Sequence, residues 1–248
     1  MSYDSYSNVD AYDTSLTRST PTSLSIARER SAATTVGNYA LFAGGGCFME
    51  DGLYSVVDAY DTSLTRSTPT SLSTDRQDLA ATTVGNYALF GGGGGIDDGS
   101  YADTVDAYDT SLTRTTPTSL SDVRYSLAAT TVGNYALFGG GWGINGIIST
   151  VDAYDISLTR TILTPLSTAR HSLAATTVGN YALFGGGRDD GSYTATVDAY
   201  DTSLTRTSPT PLSVARNWLS ATTVGNYALF GGGREYGPKA TVDAYTVS

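Results

Sequence analysis

The chain has 248 residues, of which 28 are glycine, and it carries a formal net charge of −10. This composition disfavours helices, because glycine and β-branched residues are poor in helix interiors, whereas Thr, Val and Tyr favour strands. The negative charge argues against binding to nucleic acid or to an anionic membrane surface. The single cysteine, Cys47, excludes an intramolecular disulfide.

The first eight residues form a polar tail that has neither the basic segment nor the apolar segment of a secretory signal peptide. No later segment approaches the roughly 20 apolar residues that cross a bilayer as a helix. These two observations predict a soluble protein that is cytoplasmic by default. We expect neither a nucleic acid nor a membrane among its partners.

After the tail, the motif VDAY occurs six times at intervals of 45–48 residues. The copies begin at Val9, Val57, Val105, Val151, Val197 and Val242. A period in the forties is typical of four-stranded propeller blades and also of helical HEAT or armadillo repeats. The segments lack a helical period and contain glycine triplets, so we predict strands.

One repeat divides into four strands. TVDAYD (104–109) is a third strand, TSLTR (110–114) a connection, and TTPTSL (115–120) a fourth strand. Pro117 cannot donate to a ladder, which places this fourth strand at the edge of the sheet. The next blade begins with SLAATTV (126–132) and YALF (135–138). The Gly-Asn pair between them predicts a tight hairpin, because such turns need positive φ.

These residues resemble the kelch repeat. The kelch pattern has an Arg before the first strand, a hydrophobic second strand that ends in Gly-Gly, and a Tyr-Asp pair that closes the third strand. Here these features are Arg124, YALFGGG ending at Gly141, and Tyr154-Asp155, and the resemblance covers nearly the whole chain. The Trp that is usual in the fourth kelch strand is replaced by Thr115, Thr161 and Thr207.

The resemblance implies one all-β domain over residues 1–248, a kelch-like β-propeller of four-stranded antiparallel blades after an N-terminal tail (1–8). We predict five blades, closed by the N- and C-terminal strands. Six blades, or part of a larger ring, are the alternatives, because kelch propellers more often have six or seven blades. Six VDAY copies leave one third strand in excess of five blades. The closing blade then takes either three strands from the C-terminus and one from the N-terminus, or two from each.

The repeats differ from one another in two segments. These are the connector from a fourth strand to the next first strand (the 4–1 connector) and the connector between the second and third strands (the 2–3 connector). In an up-and-down blade, both emerge on one face. The repeated framework contains eleven Asp and ten Arg, so its charges nearly cancel. Most of the net charge of −10 therefore falls in these connectors. Both tryptophans lie there too.

Variable aromatic loops on a constant scaffold predict a binding surface, because exposed Trp and Tyr supply rigid contact area. Neutral drift of tolerant loops is the alternative. The candidate binding residues are Trp142, Trp218, Tyr125, His171, Asp97, Asp98, Asp189, Asp190, Arg188, Arg234 and Tyr236.

Residues that could support catalysis are few. His171 is the single histidine, and it aligns with Glu29, Gln77, Tyr125 and Asn217, so we expect a rim residue rather than a general base. One histidine cannot supply the copper site of galactose oxidase, an enzyme with kelch-type blades. The Asp-Asp-Gly sequences lack the spacing of a calcium loop, and the glycine triplets lack the Lys-Ser/Thr of a phosphate loop. We therefore predict no catalytic residue, no metal and no cofactor.

The repeated charged residues are interpreted as structural, forming ion pairs or hydrogen bonds between blades. They are Arg28, Arg76, Arg124, Arg170, Arg216, Asp58, Asp106, Asp152 and Asp198. The glycine triplets are interpreted as places where strands crowd and a Cβ atom would clash.

The function predicted from these features is a non-enzymatic interaction module, a monomer that binds a protein on the variable connectors. A carbohydrate-binding propeller is one alternative, with Trp142, Trp218 and Tyr125 as stacking platforms. An enzyme similar to the sialate mutarotases, which are kelch propellers, is another. An engineered or purely structural repeat scaffold without a ligand is the last.

Overall fold

The computed structural model of the chain describes residues 5–47, 52–95 and 101–247. These residues form 25 strands joined by turns and irregular segments. None of the described segments is a helix that is long and apolar enough to cross a membrane. The prediction of an all-β fold is confirmed.

The strands build one antiparallel sheet repeatedly, and we number the copies as units 1 to 5. Before unit 1, β1 (Ala11–Tyr12) and β2 (Arg18–Ser19) pair with each other. Unit 1 contains β3 (Ala32–Val36), β4 (Tyr39–Ala43), β7 (Val57–Tyr60) and β8 (Arg66–Ser67), with the small hairpin β5 (Gly46–Cys47) and β6 (Gly52–Leu53) inserted. Unit 2 contains β9 (Ala80–Val84), β10 (Tyr87–Gly91), β11 (Val105–Asp109) and β12 (Arg114–Thr115).

Unit 3 contains β13 (Ala128–Val132), β14 (Tyr135–Gly139), β17 (Val151–Asp155) and β18 (Arg160–Ile162), with the hairpin β15 (Trp142–Gly143) and β16 (Gly146–Ile147) inserted. Unit 4 contains β19 (Ala174–Val178), β20 (Tyr181–Gly185), β21 (Val197–Asp201) and β22 (Arg206–Thr207). Unit 5 has three strands: β23 (Ser220–Val224), β24 (Tyr227–Gly231) and β25 (Val242–Thr246). Repeated four-stranded antiparallel sheets agree with the predicted blades.

The first two strands of each unit form the predicted hairpin. In unit 3, Val132 lies opposite Tyr135 and the turn consists of residues 133–134. Gly133 has a φ of +53°, whereas Asn134 is not among the residues with positive φ. Positive φ at the first central residue alone is the pattern of a type II′ turn, whose twist matches that of the flanking strands.

The fourth strand differs from its prediction. The fourth strand lies at the edge of the sheet, as predicted, but β12 ends at Thr115, so the inclusion of Pro117 in this strand is wrong. Without an N–H group, a proline cannot extend the ladder. Instead the strand includes Arg114, whose backbone lies opposite Tyr108 and whose Nη1 is 3.4 Å from Asp106 Oδ1.

The hydrophobic core lies between neighbouring units rather than within one sheet. Leu89 and Val105 of unit 2 pack in one cluster with Phe138 and Tyr154 of unit 3, and all four are fully buried. Phe138 and Tyr154 meet edge to face with ring centroids 5.9 Å apart. The Tyr154 hydroxyl donates a 2.8 Å hydrogen bond to the Thr118 carbonyl of the preceding 4–1 connector. Each unit is therefore stabilised by the next one.

The two ends of the array differ from its middle. Val224 in unit 5 is 59% exposed, although the equivalent Val132 in unit 3 is 1% exposed. Among the described strands, β25 pairs with β24 alone, and β1 pairs with β2. Closure of the ring by the terminal strands therefore stays a prediction.

Candidate functional site

The two variable connectors of each unit lie against each other. The Tyr125 N–H donates to the Trp142 carbonyl at 3.0 Å, and the Trp142 N–H donates to the Tyr125 carbonyl at 2.9 Å. The same antiparallel bridge joins Glu29 to Gly46, Gln77 to Gly94, His171 to Arg188, and Asn217 to Arg234. The 4–1 and 2–3 connectors thus share one face, as expected from up-and-down strands, and we call it the variable face.

The glycine triplets allow these connectors to approach. Gly140 has a φ of +68°, and a Cβ atom there would lie 2.5 Å from the Arg170 carbonyl oxygen. Gly141 has a φ of +114°, and its Cβ would lie 2.9 Å from the Tyr125 carbonyl oxygen. The predicted crowding is confirmed. At Gly140 and Gly141 the crowding atoms belong to the 4–1 connectors, whereas a Cβ on Gly139 would lie 2.9 Å from the Phe184 ring in a strand of the next unit. Glycine is required here both by φ and by the closeness of these carbonyls.

A buried ion pair fixes each 4–1 connector to the unit that follows it. Arg124 Nη2 lies 2.6 Å from Asp152 Oδ2, and both side chains are completely buried. Burial lowers the pKa of the Arg124 guanidinium, and the negative charge of Asp152 opposes this shift. Asp152 also accepts a 3.0 Å hydrogen bond from the Ser121 hydroxyl of the same connector. The geometry is that of a structural link, set below the surface of the variable face.

The equivalent pairs have the same form. They are Arg28–Asp58, Arg76–Asp106, Arg170–Asp198 and Arg216–Asp243, at 2.8–2.9 Å. In each of the five cases, an arginine Nη2 also donates to the backbone carbonyl of the second-strand phenylalanine. One guanidinium therefore bridges the connector, the second strand and the third strand.

Aromatic and charged side chains of the variable face form four separate contact groups along units 2 to 5. The Tyr101 and Tyr125 rings stack with centroids 5.3 Å apart. Trp142 meets the imidazole of His171 edge to face at 5.2 Å. We define the aromatic arc as Tyr101, Tyr125, Trp142, His171, Arg188, Tyr193, Trp218, Arg234 and Tyr236.

Cation–π contacts continue the aromatic arc into units 4 and 5. The Arg188 guanidinium lies 5.7 Å from the centroid of Tyr193, and Tyr193 is 5.7 Å from Tyr236. Arg234 lies 5.1 Å from the centroid of Trp218. The contacts hold these rings in place, so they are presented to solvent in a defined arrangement. Tyr236 is 91% exposed.

Trp218 combines exposure with an unusual backbone. Its φ is +52°, a left-handed conformation that is an outlier for a bulky residue, and its side chain is 63% exposed. The corresponding residues of the other units are Arg30, Asp78, Ser126 and Ser172, all with positive φ. The fold imposes this conformation, but it does not demand a tryptophan.

A cleft opens on the variable face between units 3 and 4. Its volume is about 640 Å³, and it is lined by Trp142, Asn145, Gly146, Ile147, Thr168, Ala169, Asp189, Asp190 and Ser192. Asp189 Oδ1 accepts the backbone N–H of Ser192 at 2.9 Å, which orients this carboxylate. An indole therefore shares one cleft with two carboxylates. Asp97 and Asp98 lie outside the described residues.

His171 lies partly buried in the 4–1 connector that precedes unit 4. Its Nδ1 is 2.9 Å from the Ser172 hydroxyl. Burial, together with the positive charge of Arg188, lowers the pKa of the imidazole. In the residues that the structure describes, no three His, Cys, Asp or Glu side chains are grouped so that they could hold a metal ion.

The opposite face carries the constant turns. A Cβ on Gly85, in the hairpin turn of unit 2, would lie 3.2 Å from Ile156, in the turn between strands three and four of unit 3. In that turn, Asp155 accepts the N–H groups of Ser157 and Thr159 at 2.8 and 2.9 Å. The turn held by the aspartate recurs with the same two backbone hydrogen bonds at Asp61, Asp109 and Asp201.

Sequence reasoning identified the residues of the variable face but not their partners. The contact between Trp142 and His171 joins two units, and so does the cleft. Both depend on how neighbouring units are placed relative to each other. The sequence of a single repeat does not predict that placement. No protein-family model and no curated protein matches this chain.

Proposed function

We propose that the chain is a non-enzymatic binding module that holds a protein partner on its variable face. The aromatic arc is the observation that carries this proposal. It brings exposed rings, two arginines and a cleft together on one side of a constant framework. Aromatic and arginine side chains dominate the energetics of protein interfaces.

The test compares two faces of the same protein. The double variant Trp142→Ala, Trp218→Ala removes the two indoles of the variable face. Ile156→Ala is the matched control, since Ile156 is 51% exposed on the opposite face. Capture of a binding protein by the wild type and the control, and its loss from the double variant, is the expected result. Full capture by the double variant would show that the wrong face was chosen.

A carbohydrate ligand is the second candidate, and the cleft beside Trp142 favours it. An indole stacks on the apolar side of a sugar ring, while Asn145, Asp189 and Asp190 offer hydrogen-bonding groups. A glycan array probed with the wild type, Trp142→Ala and Ile156→Ala separates this candidate from the first. Sugar binding that is lost only in Trp142→Ala supports it.

An enzyme of the mutarotase type has less support. Such a site needs several charged groups on the first strands, whereas these strands carry small residues. In units 2 and 3, the first-strand hydroxyls of Thr82 and Thr131 lie 2.8 Å apart and are used in packing. Absence of any binding in both assays would favour the scaffold alternative.

We also propose that the units are blades of a kelch-like propeller, on the strength of the repeated Arg, Gly-Gly and Tyr-Asp residues. Closure of five blades in one chain requires unit 5 to pack on unit 1. In a larger ring, another chain supplies that contact. The mass of the protein in solution distinguishes these two arrangements.

A further inference from the structure

Neighbouring units pack through one set of contacts that is repeated along the array. Threonine hydroxyls of adjacent first strands lie 2.8–2.9 Å apart in the pairs Thr34–Thr83, Thr82–Thr131, Thr130–Thr177 and Thr176–Thr223. A glycine N–H donates to an arginine carbonyl at 2.8–2.9 Å in the pairs Gly45–Arg76, Gly93–Arg124, Gly141–Arg170 and Gly187–Arg216. A second-strand glycine faces the phenylalanine ring of the next unit in the pairs Gly91–Phe138, Gly139–Phe184 and Gly185–Phe230.

Unit 5 has the groups that the earlier unit of each neighbouring pair contributes to these contacts, but among the described residues no later unit meets them. Thr222 is exposed, although its equivalents in units 2 to 4 are buried. A Cβ on Gly231 would meet only Val242, at 3.7 Å, whereas the equivalent Cβ on Gly185 would lie 2.8 Å from the Phe230 ring. The Gly233 N–H has no acceptor among the described residues. The outer side of unit 5 is thus an unused packing surface.

Unit 1 has the groups that the later unit of each neighbouring pair contributes. Thr35 is exposed on its outer side, although the equivalent Thr83 is hydrogen-bonded to the preceding unit. Phe42 is only partly buried, whereas the equivalent Phe90 is completely buried. The Arg28 carbonyl accepts no backbone N–H within the described chain. The two end surfaces are therefore complementary, because they correspond to the two sides of the contact between neighbouring units, which we call a step.

We infer that unit 5 of one copy binds unit 1 of a second copy through these two end surfaces. The four contacts between neighbouring units share the threonine and glycine–arginine hydrogen bonds, and they leave Val224 exposed rather than covered by unit 1. Closure within one chain requires a change in these steps, but a second copy adds a fifth step of the same geometry. The contact joins two different surfaces, so it generates a larger ring or an open array.

A strand exchange accompanies this contact. β1 and β25 are both copies of the third strand. In the docked pair, β1 of one copy and β25 of the other copy compete for the same position beside unit 1. β1 is the more weakly held, because its Asp10–Arg18 ion pair is about half exposed, with 50% and 61% of the two side chains accessible. Asp243 in β25 is 15% exposed and pairs with Arg216 at 2.8 Å.

Among the described strands, no fourth strand pairs with β25, unlike the third strands of units 1 to 4. In unit 4, that strand brings Arg206 to 2.6 Å from Asp198. β2 carries the corresponding arginine, Arg18. In the docked pair, β25 therefore replaces β1, and β2 pairs with β25 so that Arg18 moves from Asp10 to Asp243. This association departs from the monomer expected from the sequence, and it leaves the variable face free.

The experiment uses two matched full-length variants, Thr222→Glu on the end surface of unit 5 and Thr35→Glu on that of unit 1. Both threonines are exposed in the single chain, so both variants keep the fold, which thermal unfolding verifies. Ile144→Glu, at a residue 69% exposed in the hairpin of unit 3, is the control. Light scattering gives the mass of each protein over a wide range of concentrations.

We expect the mass of the wild type and of the control to rise with concentration, while each threonine variant stays a single chain. An equimolar mixture of the two variants forms a pair and nothing larger, because each retains the end surface that the other lacks. A wild type that remains a single chain at every concentration would overturn the inference. So would a mixture that does not associate.

Discussion

Arg124 and Asp152 form an ion pair of 2.6 Å in which neither side chain is accessible to solvent. In the N-terminal copy of the motif, Asp10 is the equivalent of Asp152, and its partner is Arg18, the equivalent of Arg160. Asp10 and Arg18 are 3.3 Å apart, and their pair is exposed to solvent. The energetic value of one repeated aspartate therefore depends on whether a unit covers it.

Asp152→Asn is expected to destabilise the fold strongly. It leaves the Arg124 charge buried without a counter-charge, and the cost of breaking a buried pair is about 3–5 kcal/mol. Asp10→Asn removes a solvent-exposed pair, and we expect a change of at most about 1 kcal/mol. Urea unfolding of the two variants measures both free energies. Equal losses would contradict the structural role assigned to the buried pair.

Two glycines allow the cost of backbone strain to be distinguished from the cost of crowding. Gly140 and Gly232 have φ values of +68° and +69°, but a Cβ on Gly232 would meet nothing nearer than 4.0 Å. Gly232→Ala is therefore expected to cost about 1 kcal/mol, from the left-handed conformation alone. Gly140→Ala adds the clash with the Arg170 carbonyl and is expected to cost about 3 kcal/mol or more. The thermal midpoints of dilute protein give the comparison, and similar values for the two variants would show that crowding is absent.

The local parts of the fold could be predicted from the sequence. The hairpin around Gly133 depends on one turn residue and on the alternation of its two strands, and both are visible in a single repeat. The position of the fourth strand at the sheet edge was predicted correctly, but its bounds were not, because the ladder ends before Pro117 and includes Arg114, which the Asp106 carboxylate holds in place. A side-chain contact of that kind has no signature in strand propensity.

The arrangement between units could not be predicted in the same way. Val132 and Val224 stand in the same sequence, ATTVGNYALFGGG, and differ only in whether another unit covers them. The candidate site has the same limitation. Variation among the repeats identified Trp142 and His171, but their contact arises from the step between units 3 and 4.

His171 is expected to make stability depend on pH. Its pKa is lowered in the folded chain, chiefly by burial, so the unfolded chain binds the proton more readily. Stability contributed by the neutral imidazole is therefore complete above about pH 6.5 and decreases as the pH falls below that value. His171→Gln introduces the glutamine that unit 2 has at the equivalent position, Gln77. It removes the contribution of the imidazole to the pH dependence of stability.

Thermal midpoints between about pH 7 and pH 5.5 measure this effect, since carboxylates titrate mainly below that range. The wild type is expected to lose more stability than His171→Gln as the pH decreases. Parallel curves for the two proteins would show that the imidazole is not shielded from solvent by Trp142 and its neighbours.

Two valines measure how much a neighbouring unit contributes to stability. Val132 is 1% exposed, and Val224, at the same position of unit 5, is 59% exposed. Val132→Ala removes two buried carbon atoms and leaves a cavity, with an expected cost of about 2 kcal/mol. Val224→Ala in dilute protein changes an accessible side chain, and we expect less than about 0.5 kcal/mol. Urea unfolding of both variants provides the comparison. A cost at Val224 that approaches that at Val132 in dilute protein would mean that unit 1 of the same chain covers unit 5.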